Sequence, residues 1–168
     1  MKSFLVTTPI KKNYNSSYKN IFLGAWCFDN TQDIKKNNTV DYHWSNKKKF
    51  KKDGIYVDQI TKKLSKFLTN KLNKIHNLRE NYNYWKLIIY PWTHHYVSTM
   101  YDRWETINFF LKYNKNKVIY SNDLEINIKD FIPINHTNFM QNTHEDIWNY
   151  LAFLRILKFL NLRKIKFI

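Results

Sequence analysis

Six histidines, an adjacent Asp102-Arg103 pair and a set of tryptophans are the side chains of this 168-residue chain whose types could do chemistry. His43 stands between Tyr42 and Trp44 in DYHW (41–44), and His76 closes LNKIH (72–76). An imidazole with its ordinary pKa of about 6.5 can take a proton from a hydroxyl near neutral pH. His43 also reads as a hydrogen-bonded packing residue, and His76 as a favourable charge at the carbonyl end of a helix. Asp102 and Arg103 lie within YDRW (101–104). The pair reads as a structural ion pair or as charges held at a cleft rim, where a guanidinium can fork onto a phosphate or a carboxylate. Trp26 and Trp92 join them as substrate-binding candidates. His94 and His95 are neighbours and point about 100° apart on a helix, so they cannot chelate a metal in the i, i+4 manner. With Cys27 as its one cysteine, the chain forms no internal disulfide and no four-cysteine zinc site, and no metal site is read.

These residues need elements to hold them. In the stretch 84–111, Trp92, Tyr96, Met100, Trp104, Ile107 and Leu111 recur every three or four positions, which predicts a helix of about five turns with that stripe in the core and Pro91 near its start. Residues 54–77 predict an amphipathic helix, with Ile60, Leu64, Phe67, Leu68, Leu72 and Ile75 inward and lysines outward. The run KKKFKK (47–52) before it reads as a solvated loop, or as a contact for phosphate or anionic lipid. Thr143 is the expected N-cap of a last helix that carries Trp148, Leu151, Leu154 and Ile156 to about Leu160. FLVTT (4–8), IFLG (21–24), KVIY (117–120) and the tail at 165–168 read as strands, LEINI (124–128) as strand or loop, and 29–39 as a polar connection. Short strands alternating with long helices imply a parallel sheet flanked by helices. The last strand reads as barely begun, so the chain reads as the front part of something longer.

The chain carries 28 Lys and Arg against 13 Asp and Glu, a net charge of +15. Nucleic acid is a weak reading of that charge: the excess is almost all lysine, the aromatics fall in helical stripes, and no nucleic-acid motif is present. Abundant Lys, Asn, Ile and Tyr beside two glycines also fits the drift of an AT-rich genome. The length suits one domain that buries about 70% of the surface its unfolded chain exposes. The opening apolar run is too short for a secretory signal, and no segment approaches the ~20 apolar residues of a membrane span. A cytoplasmic protein follows, either free or peripheral at the inner face of the membrane. The segment 151–166 sets Arg155, Lys158, Arg163 and Lys166 beside Leu151, Leu154, Leu157 and Leu162. It therefore offers a second reading, a non-enzymatic basic module on anionic lipid, while the same apolar face could equally pack on the sheet.

FLVTT with IFLGAWC, DYHW, LNKIH, YWKLIIYPW (84–92), YDRW and EDIWNYL (145–151) together resemble, in order and approximate spacing along nearly the whole chain, one family: the transferases of bacterial O-antigen, exopolysaccharide and other surface-carbohydrate gene clusters, glycosyltransferase-like. The resemblance implies an α/β fold, the Rossmann-like N-terminal half of a two-domain, GT-B-like glycosyltransferase. Residues 1–168 would be its single acceptor-side domain, inactive alone. Its partner would be a missing C-terminal half or split-gene product that holds a nucleotide-sugar donor. No cofactor is expected in this segment, and the acceptor would be a carbohydrate or lipid-linked carbohydrate. On this resemblance His43 and His76 are the catalytic candidates, and Asp102, Arg103, Trp26 and Trp92 the substrate-binding ones. One departure stands out: the family's opening motif commonly has an acidic residue between glycine and tryptophan, where this chain has Ala25.

Overall fold

The computed structural model describes residues 2–10, 13–28, 39–115, 117–125 and 127–168. Its four strands, β1 (Ser3–Val6), β2 (Lys19–Phe22), β3 (Ile119–Ser121) and β4 (Ile165–Phe167), form a parallel sheet in the order β2-β1-β3-β4. Ser3 lies opposite Lys19 on one side and Ile119 on the other, and Ile119 lies opposite Ile165. The helices are α1 (Lys47–His76), α2 (Tyr82–Tyr113), the short α3 (His136–Asn142) and α4 (Asp146–Leu160). The fold class is the expected α/β.

The chain divides into two compact units, one of Met1–His43 with Arg103–Ile168 and one of Trp44–Asp102. The first holds the sheet. Strands covered on both faces read as continuous apolar runs, and β1 is buried from Phe4 through Val6. Ile107, Phe110 and Leu111 of α2 and Phe153, Ile156 and Leu157 of α4 join those strands in one cluster. The expected strands all form, each within a residue or two of its expected place, and the described residues of 124–128, read as strand or loop, lie in no strand.

The second unit is a helical hairpin. Asn77, in the left-handed conformation at φ 52°, ends α1, as asparagine tolerates. The Asn73 side chain then clamps the turn: its amide donates to the Glu80 carbonyl at 2.7 Å, and its oxygen accepts from the Glu80 N–H at 3.1 Å and the Trp85 indole at 2.7 Å.

Several expectations are corrected here. The lysine run 47–52 is the first turns of α1 and not a loop, because the Asn46 side chain caps it by accepting from the Lys49 N–H. The buried row of α1 is Asp53, Val57, Thr61, Ser65 and Thr69, whereas Phe67 and Ile75 are exposed. α2 runs 32 residues, so Pro91 lies inside it and not near its start. The carbonyl that Pro91 leaves without a helical donor belongs to Leu87, on an exposed face where water can serve it. The inward row of α2 is Trp85, Thr93 and Val97 in place of Trp92 and Tyr96, and reaches the expected stripe only at Ile107 and Leu111. Thr143 caps the C-terminus of α3, its hydroxyl donating to the Met140 carbonyl, and α4 starts after Glu145. Leu151, Leu154 and Leu157 are buried, so the face read as a lipid contact packs into the protein. The polar connection lies almost wholly outside the described residues.

Candidate functional site

In a parallel sheet the carboxyl ends of the strands are where ligand sites form, above all where neighbouring connections leave in opposite directions. β1 is that place here, with β2 on one side and β3 on the other. Beyond its end the chain runs through Thr7 and Thr8, both buried. Beyond β2 it runs through Gly24 into a single 3-10 turn, Ala25–Cys27, which turns Trp26 outward.

Three contacts fix that indole. Its N–H donates to the Thr7 carbonyl at 3.0 Å, its ring stacks on Phe153 at 6.4 Å and 7°, and its edge meets the Tyr42 ring at 6.5 Å. A Cβ at position 24 would collide with the six-membered ring, so the glycine is what lets the indole lie there. Even so fixed, Trp26 remains 39% exposed. Beneath it the Asn13 amide donates to the Thr7 hydroxyl at 3.2 Å. The Thr8 hydroxyl and the Asn13 side-chain oxygen Oδ1 are buried without a hydrogen-bond partner among the described residues.

His43 follows Tyr42, with ring centroids 4.9 Å apart, and is only 2% exposed. Arg103 Nε donates to Asn149 Oδ1 at 2.9 Å and its terminal nitrogen to the Thr143 carbonyl at 3.4 Å, while Asn149 also donates to that carbonyl. Asn149 and Phe153 are one turn apart on α4, so Arg103 and Trp26 are gathered along one helix face. Of the six candidates read from the sequence, Trp26, His43 and Arg103 are thus brought to one end of one unit.

The other three lie in the hairpin. His76 is exposed at the end of α1, its ring 5.6 Å from that of Trp85; Trp92 stacks on Tyr96 at 5.7 Å; and Asp102 is buried.

Cys27 is excluded as a nucleophile. Burial pushes its thiol up to about 11, and it donates to the Val6 carbonyl at 3.4 Å, so it stays protonated at neutral pH. Among the described residues no group of three His, Cys, Asp or Glu could hold a metal ion, and no helix is long and apolar enough to cross a membrane. Thr7, Asn13, Tyr42 and Asn149 also belong to this end of the sheet and are not among the candidates read from the sequence. The pair of threonines directly after a buried strand was the one available signal for them.

A model of the LIC12162 family transferase matches residues 3–167. The chain belongs to that family. The match spans both units, so the hairpin is part of what the LIC12162 family model describes. Comparisons with curated proteins and with solved structures returned no match.

Proposed function

We propose that the end of the sheet around Trp26 is the acceptor wall of a glycosyltransferase acting on bacterial surface carbohydrate, the nucleotide-sugar donor being held by a second, GT-B-like domain. The observation that carries this reading is the half-exposed indole, locked from three sides at the carboxyl edge of a parallel sheet. A rigid aromatic face packs against the C–H face of a pyranose at little cost in conformational entropy. The polar groups around it, the Tyr42 hydroxyl and the Arg103 guanidinium, are of the types that bind sugar hydroxyls and a phosphate or sugar-acid carboxylate.

In the transfer, the acceptor hydroxyl gives its proton to a base as its oxygen bonds to the anomeric carbon. The bond from that carbon to the donor's phosphate oxygen breaks, and the nucleoside diphosphate leaves with the electron pair. His43 is the base in this reading. Because His43 is only 2% exposed, the step depends on a local opening that admits the acceptor hydroxyl to the imidazole. With the donor domain present, His43→Asn is expected to lower kcat about 10²- to 10⁴-fold.

The wall itself is tested by saturation-transfer NMR of the chain with free hexoses, N-acetylhexosamines and hexuronic acids. Signal on the sugar ring protons that Trp26→Ala abolishes supports the reading. Sugars that receive no saturation, or that receive it equally from the variant, would end it.

A further inference from the structure

α1 is built inside out. Its buried row steps by four from Asp53 through Val57, Thr61 and Ser65 to Thr69, small or polar throughout, with the Thr61 and Thr69 hydroxyls returned to the Val57 and Ser65 carbonyls. At a step of four, successive residues advance by about 40° around the helix, so the exposed Lys63, Phe67, Lys71 and Ile75 share an arc of about 120° on its C-terminal half. The two large apolar side chains of that arc are 57% (Phe67) and 74% (Ile75) exposed. A helix that needed only to pack in its own unit would carry these groups inside. At 1.5 Å per residue the arc is a ridge of roughly 18 Å.

We propose that this ridge rests on an anionic membrane surface, with Phe67 and Ile75 entering the headgroup–acyl boundary and Lys63 and Lys71 meeting lipid phosphates. A helix that binds in the plane of the interface combines apolar insertion with attraction between lysines and anionic lipid, and its lysine stems lie along apolar surface while the ammonium stays wet. That combination is visible at one step of the arc, where Lys71 Nζ lies 5.4 Å from the centre of the Phe67 ring. Charge selects the occupant. The hairpin sequence holds eleven lysines and one arginine against four acids, so a negative surface suits it. A second copy of the chain would set lysine rows against each other. Spanning is excluded for this helix, which is not long and apolar enough to cross a membrane. The inference is independent of the sugar-binding reading, because the ridge and the Trp26 wall lie in different units.

The test is flotation of the whole chain with vesicles of phosphatidylglycerol and phosphatidylcholine in equal parts, against phosphatidylcholine alone, at low and high salt. Wild-type protein is expected to float with the anionic vesicles, and Phe67→Ser with Ile75→Ser to weaken that binding about tenfold or more. Should the double variant melt earlier than wild type, Ile75→Ser alone is read in the same titration and is expected to weaken binding about threefold. Protein that stays in solution with anionic vesicles at low salt overturns the proposal. Serine variants that bind as well as wild type also overturn it, since charge alone would then account for binding. So does a dimer in sedimentation analysis that the variants dissolve, or a protein partner that competes for the ridge while vesicles do not.

Discussion

The two units solve the same problem with opposite materials. In the sheet unit the large rings and branched chains are inside: Phe4 of β1, Phe110 and Phe153 are essentially inaccessible and share one cluster. In the hairpin the inside of α1 is valine, threonine and serine, and its bulk is supplied by rings from α2: Trp85 meets Asn73, Tyr90 donates to the Asp58 carboxylate, and Tyr101 packs near Tyr56 at 5.5 Å. Burial of apolar area accounts for the first unit. The second relies on a few directed polar contacts. The largest test of that contrast is Phe153→Ala. Removing this ring leaves a cavity in the core and is expected to cost about 3–5 kcal/mol in urea unfolding. It also removes the surface on which Trp26 stacks, so any sugar signal should fall with it.

The corresponding weak point of the hairpin is a carboxylate. Asp53 is buried at the start of α1, where it accepts from the Trp44 indole at 3.0 Å and pairs with Lys49. Burial by itself raises the pKa of this acid, but the Lys49 and Trp44 hydrogen bonds outweigh it and hold the group below the ordinary carboxylate value. The sign follows directly. An acid whose folded pKa is depressed contributes stability that is complete above its unfolded pKa and is lost as pH falls through the folded value. Helicity monitored from pH 7 downward should therefore hold to about pH 4 and decline below it. Asp53→Asn should remove that acid-dependent loss and cost about 2 kcal/mol at neutral pH. Unchanged melting at pH 7 would mean that the carboxylate is incidental to the hairpin.

The same contrast explains what was legible in the residues. FLV, IFL, VIY and the final IKF announce a sheet covered on both faces, because buried parallel strands have nothing polar to show. YDRW and DYHW were found for their chemistry, yet Arg103 is informative only once Asn149 and the Thr143 carbonyl are beside it, and those lie 46 and 40 residues further on. In α1 the helical period was correct and the inward side was correct only in part, since Ile60, Leu64, Leu68 and Leu72 are half-buried while Phe67 and Ile75 are exposed. Hydrophobicity picked Phe67 and Ile75, while small side chains opposite bulky ones from α2 decide the packing. Pro91 misled for a related reason, since a proline on an exposed helix face loses one hydrogen bond without ending the helix.

Gly24→Ala probes the sheet unit where it is delicate and not where it is massive. The backbone at Gly24 is extended, at φ −172°, and tolerates any side chain; the obstacle is the Trp26 ring that lies over it. The added methyl should swing the indole away from the Thr7 carbonyl and the Phe153 face. We expect about 1 kcal/mol in stability, with the larger effect on sugar binding. Wild-type sugar signals in this variant would show that the indole position does not matter.

Phe67→Ala closes the comparison, because it is the substitution made at Phe153 transferred to the outside of the other unit. No core contact is lost with a ring that is 57% exposed, and alanine is the better helix former. The change should therefore stay within about 0.5 kcal/mol of wild type in either direction. Vesicle binding, in contrast, should weaken. A cost approaching that of Phe153→Ala would mean that the outward ridge of α1 is covered in solution, and the opposition between the two units would fail at its clearest residue.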